Sequence, residues 1–193
     1  MWKLKLISME KVIRKAVAAD VDAVAGIYGK IHALEEAGEV SIGWNPKIYP
    51  VRETAVKALE DDALFVMVLD GSVVASAIIN QEQPEAYSSV DWLYPADDDK
   101  VGVLHTLVVD PDIGRQGLGK GFVSFFESYC REMGYEAARL DTQTKNIGPF
   151  NMYPKLWATD SQESARPDSR TCPIQSNSPC LRRNSLRYSE SES

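Results

Sequence analysis

The sequence predicts a single α/β (α+β) domain in which helices flank a sheet, and three observations support this fold class. Strand-like apolar runs and segments of helical periodicity follow one another in the order strand, two helices, three strands, helix, strand, helix, with no internal repeat. The dipeptide Asp70-Gly71, which suits a two-residue hairpin turn, makes two of the runs antiparallel neighbours. The composition, 44% hydrophobic and 25% charged over 193 residues, is that of an ordinary globular protein.

The first part of the chain predicts one strand and two helices. The run KVIRKAV at 11–17 alternates as a strand does, and Asp20 follows at the position of a helix N-cap. Apolar residues then recur at helical spacing through Ile31, and the segment RETAVKALE at 52–60 predicts a second, shorter helix. The aromatic segment GWNPKIYP between the helices is predicted to be an irregular loop.

The middle of the chain predicts three strands and one long loop. The runs LFVMVLD at 64–70 and SVVASAIIN at 72–80 meet at the hairpin dipeptide, and VGVLHTLVV at 101–109 predicts a strand that is buried over most of its length. Residues 81–100 between them are polar and aromatic. A loop of that length inside a compact domain is usually functional or mobile.

The last elements are predicted to be a helix, a strand and a short, imperfect helix. After a glycine-rich segment, apolar side chains share one helical face as far as Met133, and Gly134 stands at the expected C-terminal stop. The run AARLDT at 137–142 predicts the fifth strand, and GPFNMYPKLW at 148–157 predicts the last helix.

Charge and apolar patterning exclude several classes of partner. The formal net charge of −7 disfavours nucleic acid and anionic membranes as main partners. No apolar run approaches the ~20 residues of a membrane span, and the opening MWKLKLIS is too short for a signal peptide. Cys130, Cys172 and Cys180 form neither a zinc pattern nor a disulfide framework. We therefore expect a cytoplasmic protein without a metal that acts on a small molecule.

The chain is expected to divide into three parts. Residues 1–8 are an N-terminal extension, and residues 9–157 form the domain. Residues 158–193 are dominated by Ser, Arg and Pro and contain no Gly, Val, Phe or Lys. Because such a segment cannot build a core, we expect a disordered tail.

The glycine-rich stretch GRQGLGKG at 114–121 is typical of a phosphate-binding loop. Gly114, Gly119 and Lys120 fit the G-x-x-x-x-G-K pattern of a nucleoside-triphosphate loop, but Gly121 stands where that loop needs Ser or Thr to ligate Mg²⁺. A P-loop-type nucleotide-binding protein is therefore the weaker alternative. The stretch follows an apolar strand and opens an amphipathic helix, so backbone N–H groups and the helix N-terminus are available to a pyrophosphate.

Taken as a whole, this stretch resembles the GNAT superfamily of acyl-CoA-dependent N-acyltransferases. The family signature is Arg/Gln-x-x-Gly-x-Gly/Ala after a strand that ends in Val-x-Pro, and here Val109 and Pro111 match the strand end. Gly114 departs from the pattern, which leaves Arg115 to take the role of the usual Arg or Gln, or lowers the affinity. The resemblance implies a CoA pyrophosphate site made of Arg115, Gln116, Gly117, Gly119 and Lys120.

A second motif downstream carries the same resemblance. Asn146 and Tyr153 match the family's Asn-x-x-Ala-x-x-x-Tyr, and YPKL resembles the closing Tyr-x-Lys-Leu-Gly-Phe, although Pro149 replaces the Ala and Trp157 replaces the Gly. The resemblance implies that Asn146 contacts the pantetheine arm. It also implies that the hydroxyl of Tyr153 protonates the departing thiolate.

The resemblance further implies a sheet geometry and a reaction. The sheet is expected to be mixed and mostly antiparallel, with a parallel fourth and fifth strand that splay apart, and the pantetheine to pair with the main chain of Leu107 and Val109. The reaction is expected to be direct transfer of an acetyl group from acetyl-CoA to a primary amine. His105, two residues before Leu107 and so expected on the same face, is the candidate proton acceptor; a histidine satisfied within the sheet is the alternative.

Several residues are candidates for the amine-acceptor site. Three acidic residues of the long loop are candidates for binding a cationic amine: Glu82, Glu85 and Asp91. Four aromatic residues are candidates for its walls, with loop packing as their alternative role: Trp44, Tyr49, Tyr87 and Trp92. His32 is expected to be a surface or wall residue rather than a catalyst. The sequence leaves open whether the acceptor is a small-molecule amine or a protein or peptide amine, and whether the chain forms a homodimer.

The resemblance stops at Leu156, where a GNAT domain continues with a hairpin that covers the fifth strand and walls the acceptor site. Residues 158–193 lack the alternating β-branched and aromatic residues of strands, so we expect this hairpin to be missing. The abrupt change after YPKL suggests a shifted reading frame or a truncated gene, with an authentic tail as the alternative. A catalytically impaired acetyl-CoA-binding module is therefore the second function class.

Overall fold

The computed structural model describes residues 10–89, 92, 95–113, 116–143 and 171–176, which form a six-stranded sheet with helices on both faces. The strands are β1 (Lys11–Lys15), β2 (Leu64–Leu69), β3 (Ser72–Asn80), β4 (Val101–Val109), β5 (Ala137–Gln143) and β6 (Thr171–Ser176). The helices are α1 (Val21–Glu36), α2 (Arg52–Glu60) and α3 (Leu118–Glu132). Within these ranges no helix has both the length and the apolar character needed to span a membrane.

The strands follow one another across the sheet in chain order. Each neighbouring pair is antiparallel except β4 and β5, which are parallel and are joined by α3. The hairpin between β2 and β3 forms at Asp70 and Gly71, whose φ angles of 48° and 81° are the left-handed values that a tight two-residue turn requires. The predicted mixed, mostly antiparallel sheet with a parallel fourth and fifth strand is confirmed.

The two sheet faces are covered by different helices. On one face, α1 and α2 bury side chains such as Val24, Ile27 and Tyr28 against β2 and β3. On the other face, Phe122 and Phe126 of α3 are fully buried in a cluster with residues of β2 to β5. Burying an aromatic or aliphatic side chain of this size stabilises the fold by about 1.5–3 kcal/mol, so both faces contribute to the core.

A close approach of α3 to β4 depends on a glycine. A Cβ atom at Gly102 would lie 2.5 Å from Sγ of Cys130 and 2.8 Å from Cδ2 of Tyr135. Burial also raises the pKa of the Cys130 thiol, which keeps it protonated. Gly102 therefore sets the distance between the end of α3 and the paired part of β4.

Asp20 is the N-cap residue of α1, as predicted, but its side chain does not cap the helix. Its carboxylate accepts no hydrogen bond from the first turn of α1. It accepts instead from the Val17 N–H at 2.8 Å and from the Arg14 guanidinium at 2.7 Å, across a 3-10 turn at Ala18–Asp20. The hydrogen bond from the Arg14 guanidinium is the main reason that the pKa of Asp20 is lowered.

The long loop after β3 packs against the sheet in its described part. It contains 3-10 turns at Glu85–Ser89 and Asp98–Lys100. Tyr87 and Trp92 pack with Val101, Val103 and Ala137 in a third apolar cluster. The loop therefore covers the paired half of β4 and β5 on the face opposite α3.

The expectation that residues 158–193 add no strand is wrong for one segment. Residues 171–176 form β6, which pairs antiparallel with β5 from Ala138↔Ser176 to Gln143↔Thr171. Main-chain pairing with an open edge does not need the alternating pattern that the tail lacks, and Pro173 is tolerated because β6 lies at the edge of the sheet. The described residues hold one strand at this edge, not the two strands of a hairpin.

Candidate active site

The parallel strands β4 and β5 separate halfway along their length. Their pairing runs from Val101↔Ala137 to Leu104↔Leu140. Beyond that point β4 continues through Val109 and β5 through Gln143, and no further pair joins them. Leu107 and Val109 therefore lie on a stretch of β4 whose main chain is not paired with β5. This opening matches the splayed geometry expected from the sequence.

A β-bulge interrupts β4 at the start of the opening. Ile78 pairs with His105 and Ser76 pairs with Val108, so Ala77 on β3 faces two residues of β4. One of the two, Thr106, has a φ of 49°, a left-handed value that is rare for a β-branched residue. Its Oγ1 forms a hydrogen bond with the hydroxyl of Tyr49, from the loop between α1 and α2.

The bulge reverses the facing of the residues on either side of it. Leu104 and Leu107, three positions apart, both pack in the cluster of α3. His105 belongs to the opposite face, because it continues the alternation of Val101 and Val103, which pack under the long loop. The expectation that His105 shares a face with Leu107 is therefore wrong, since strict alternation does not hold across a bulge.

The hydrogen bonds of His105 define its neutral tautomer. The N–H of Glu82 donates to Oδ1 of Asn80 at 3.0 Å, which fixes that atom as the amide oxygen. His105 Nε2 lies 2.9 Å from the same Oδ1 and 3.0 Å from the carbonyl oxygen of Glu82. Because both atoms are acceptors, Nε2 carries the hydrogen. Nδ1 is then the nitrogen that gains a proton when the ring becomes imidazolium.

The glycine loop opens α3 without a side-chain cap. Gly117 has a φ of 70° and is the N-cap residue, and the first main-chain hydrogen bond of the helix runs from the Gly121 N–H to the Gly117 carbonyl at 2.9 Å. The N–H groups of the first turn, which includes Gly119 and Lys120, therefore have no partner within the helix. Together with the helix dipole they form a site suited to an anion.

A charged contact missed by the sequence analysis fixes the turn before this loop. Nζ of Lys30, on α1, lies 2.8 Å from Oδ2 of Asp110 and 2.7 Å from Oδ2 of Asp112. The two carboxylates, Asp110 first, raise the pKa of Lys30. The contact links the end of β4 to the helix on the His105 face. A sequence shows no signal for it, because the partners are about eighty residues apart.

Aromatic candidates for the acceptor walls fall into two separate groups. Trp44 lies edge-on to Tyr49 at 6.1 Å and to His32 at 6.4 Å between ring centroids. Tyr87 and Trp92 form a second pair at 5.1 Å. His32 is only 8% exposed, and its Nε2 lies 2.9 Å from the carbonyl oxygen of Pro50. A surface role for His32 is therefore excluded, and the role of a buried wall residue stays a prediction.

Arg139, which the sequence analysis did not single out, lies beneath the second aromatic pair. It is 4% exposed and its guanidinium lies 4.3 Å from the centre of the Trp92 ring. Nη1 donates to the side-chain oxygen of Gln83, whereas Nε has no hydrogen-bond partner. Desolvation lowers the pKa of Arg139. Its position in the strand AARLDT gave no sign that the loop would bury it.

The remaining candidates lie outside the described residues, are exposed, or contact His105 through their main chain. Arg115, Asn146, Tyr153 and Asp91, with the predicted helix at 148–157, lie outside the described residues. Gln116 and Glu85 are exposed, and Glu82 contributes its main chain, not its carboxylate, to His105. Over the described ranges, no three His, Cys, Asp or Glu side chains form a group able to hold a metal ion.

The chain resembles known proteins both in its sequence family and in its fold. The model of the acetyltransferase (GNAT) family matches residues 32–156, more than half of the chain. No curated protein sequence matches the chain. The family match spans α2, the opening between β4 and β5, the glycine loop and the Asn146 to Tyr153 motif.

Solved structures with the same fold include three acetyltransferases. A GNAT-family acetyltransferase from Streptococcus agalactiae 2603 has a TM-score of 0.71 at 19% identity, over 86% of this chain and 95% of its own. The PaiA N-acetyltransferase from Thermoplasma acidophilum, solved with coenzyme A, has a TM-score of 0.63 at 15% identity, over 88% and 99%. The ribosomal-protein-S18-alanine N-acetyltransferase from Escherichia coli has a TM-score of 0.56 at 17% identity, over 86% and 93%. At these identities the likeness is one of fold.

Proposed function

Because the chain belongs to the GNAT acetyltransferase family, whose reaction is acyl transfer from acyl-CoA, we propose that it transfers the acetyl group of acetyl-CoA directly to a primary amine. One observation carries the proposal. The unpaired stretch of β4 and the uncapped start of α3 follow each other within residues 105–120, so one segment offers an edge for a thioester arm and an anion site. The nucleotide-loop alternative is set aside, since the loop belongs to a GNAT domain.

In the proposed complex, the donor is held mainly by main chain. The pyrophosphate binds the N–H groups at the start of α3, with Lys120, Gln116 and Arg115 adding side-chain donors. The pantetheine arm pairs with Leu107 and Val109 along the open edge of β4, and Asn146 contacts the same arm. Main-chain N–H groups in the opening then polarise the thioester carbonyl.

The proposed chemistry needs two proton movements. The acceptor ammonium loses a proton to Nδ1 of His105, directly or through water, and the neutral amine attacks the thioester carbon. As the C–N bond forms, the C–S bond breaks and the thiolate takes a proton from the hydroxyl of Tyr153. The hydrogen bonds from Nε2 of His105 to Asn80 and Glu82 support this role, because both oxygen acceptors stabilise the ring when it is protonated.

The acceptor is proposed to approach on the face of α1, where His105, Trp44 and Tyr49 lie. This face is opposite to the α3 face that holds Leu107 and Val109, so donor and acceptor reach the opening from different sides. Small-molecule, peptide and protein amines all fit this scheme. We place the reaction in the cytoplasm, with no nucleic acid, membrane or metal involved, and leave a homodimer open.

Calorimetric titration with acetyl-CoA and, separately, with ATP tests the donor. We expect acetyl-CoA to bind and ATP to bind weakly or not at all. Tight ATP binding without any binding of CoA would contradict the proposal. A screen of amine pools for release of free CoA then identifies the acceptor.

The proposed acid is tested by Tyr153→Phe. Turnover is expected to fall while the affinity for acetyl-CoA stays nearly constant, because the hydroxyl acts on the leaving thiolate in the transition state. Tyr94→Phe, a change of the same chemistry in the long loop, is the matched control. Unchanged turnover in Tyr153→Phe removes this residue from the mechanism.

The edge of β5 favours a second candidate, an acetyl-CoA-binding module with impaired catalysis. Among the residues that the structure describes, one strand, β6, occupies the edge where the family has a hairpin that also walls the acceptor site. In this case acetyl-CoA still binds but transfer is slow or absent. Robust transfer by the 193-residue chain would refute the module, and the mass of the protein with resequencing of its locus tests the shifted reading frame.

A further inference from the structure

Arg139 is a buried cation without a carboxylate partner among the described residues. It is 4% exposed, and no Asp or Glu within those ranges forms an ion pair with it. Its partner Gln83 donates its own amide N–H to Asp98. Desolvation, the larger effect, lowers the pKa of Arg139, whereas the charge of Asp98 raises it without forming an ion pair with the guanidinium. Burial of a charged group is unfavourable unless an anion compensates it.

The guanidinium also keeps unused donors. It carries five N–H bonds in one plane. The guanidinium carbon lies over the Trp92 ring at 4.3 Å from its centroid, a cation–π contact that needs no N–H hydrogen bond to an acceptor atom. Gln83 accepts one N–H bond, and Nε has no partner. A planar donor set held in this way is suited to a carboxylate, which accepts two parallel N–H bonds.

The position of Arg139 in the sheet brings this donor set next to the proposed proton acceptor. Arg139 pairs with Val103 in the parallel register, and His105 lies two residues further along the same face of β4. With strands ~4.8 Å apart and a rise of ~3.3 Å per residue, the Cα atoms of Arg139 and His105 are about 8 Å apart. Both residues lie where the pairing of β4 with β5 ends.

We propose that Arg139 binds the carboxylate of the acceptor and that the acceptor is a free amino acid. The amine and the carboxylate of an α-amino acid share one carbon atom, so one small molecule reaches both His105 and Arg139. Trp92 and Gln83 act as positioning residues that orient the guanidinium. This inference rests on the proposed acetyl transfer and adds the chemical class of its acceptor.

A different role for Arg139 is to hold the long loop against the sheet through Gln83 and Trp92. The two roles differ in what a substitution does to two kinds of amine. Loss of a carboxylate-binding residue weakens the reaction with acceptors that carry a carboxylate. Loss of a loop anchor weakens the reaction with every acceptor.

The experiment compares each L-amino acid with its primary amide as acceptor, by following the release of CoA from acetyl-CoA with the full chain. We expect the wild type to prefer the free acid in kcat/KM by at least ~30-fold, the effect of leaving one member of a buried charge pair alone. Arg139→Gln is expected to remove this preference by raising KM for the acid, with the amide changed less than ~2-fold. Arg131→Gln, at a half-buried position near the end of α3, is the matched control and is expected to leave both rates unchanged.

Two results would overturn the proposal: equal use of acids and amides by the wild type, or equal loss on both in Arg139→Gln. If Arg139→Gln does not fold, Arg139→Lys keeps the charge but not the planar donor pair, and it is expected to lower the preference for the acid. Rates with acid and amide that stay at wild-type values in a folded Arg139→Lys would also count against a two-bond contact.

A binding measurement separates this proposal from the proposed function. If no amine consumes acetyl-CoA, the transfer reaction is refuted, and each of the ~20 common amino acids is then titrated into the CoA-saturated protein by calorimetry. Binding that requires the carboxylate and is lost in Arg139→Gln supports the carboxylate site. Absence of binding by all of them refutes it.

Discussion

Deletion of Thr106 is expected to remove the bulge from β4 while each neighbouring side chain keeps its present face. Leu104 and Leu107 face α3, and His105 and Val108 face α1. Without Thr106 these four residues alternate regularly. Ala77 of β3 then faces a single residue, so the register between β3 and β4 has no shift.

The stability of this deletion variant follows from two opposing effects. A non-glycine residue in the left-handed region costs roughly 1–2 kcal/mol, and the deletion relieves this cost at Thr106, whose φ is 49°. The hydrogen bond between Tyr49 and Thr106 is lost, at about 0.5–1.5 kcal/mol. The free energy of unfolding is therefore expected to stay within about 1 kcal/mol of the wild-type value.

Binding of acetyl-CoA is expected to respond much more strongly. A regular β4 brings Leu107 and Val109 back toward pairing with β5, and closes the edge that the pantetheine needs. Loss of two main-chain hydrogen bonds at about 1 kcal/mol each corresponds to a rise in Kd of about 30-fold. Urea unfolding measures the stability, and calorimetric titration measures the Kd.

Thr106→Gly is the matched control, because glycine adopts the left-handed conformation without strain and keeps the bulge. We expect this variant to bind acetyl-CoA as the wild type does. Wild-type affinity in the deletion variant would refute the role of the bulge. A loss of more than about 3 kcal/mol in the free energy of unfolding would show that β3 and β4 do not pair regularly after the deletion, since single changes that keep the packing cost less than this.

Three further predictions concern the proton acceptor, the packing of α3 and the response to pH. His105→Ala is expected to flatten the rising acid limb of the pH profile of kcat/KM, because a general base acts only when deprotonated; an unchanged limb assigns the base elsewhere. Gly102→Ala is expected to lower the free energy of unfolding by about 1–3 kcal/mol. The loss is expected to be smaller in a Cys130→Ala background, where the contact at 2.5 Å is gone. Additive losses in the double-mutant cycle would contradict the packing argument. Since Arg14 lowers the pKa of Asp20, this carboxylate stabilises the fold above its unfolded pKa of about 3.8 and stops doing so as the pH falls through the folded value. Asp20→Asn is therefore expected to reduce the loss of stability between pH 5 and pH 2 in urea unfolding, and an unchanged pH dependence would show that Asp20 has no such role.

Local chemistry made the main elements of the fold predictable. Asp70-Gly71 demands a turn that few other dipeptides form, and it fixed the pairing of β2 with β3. The glycine loop and the amphipathic pattern that follows it located the start of α3 within a few residues. In each case the signal lies within the segment that it describes, so no distant part of the chain is needed to read it.

The parts of the site that the sequence did not reveal depend on distant contacts or on one unusual residue. Nothing about Thr106 predicts a left-handed conformation, so strict alternation along β4 predicts the wrong face for His105. Asn80 and Arg139 take their roles from contacts with the long loop, and Lys30 takes its role from a turn about eighty residues later in the chain. The strand β6 pairs through main chain, which leaves little trace in residue types.

The segment 81–83 closes the long loop at its base. Gln81 contacts the carbonyl of Asp99, and Gln83 contacts the side chain of Asp98, so the two ends of the excursion at 84–97 are held together. The bonds from Glu82 to His105 and from Gln83 to Arg139 belong to that base and not to the excursion. Within the excursion, Tyr87 and Trp92 pack against the sheet and Trp92 contacts Arg139. Sequence drift or insertion at the other positions therefore alters the surface offered to acceptors, while the groups that handle protons and charge keep their places. In evolutionary terms, the architecture separates variable recognition positions from fixed chemical ones. A library that randomises residues 84–97 but keeps Tyr87 and Trp92 is the natural starting point for changing the substrate of this protein.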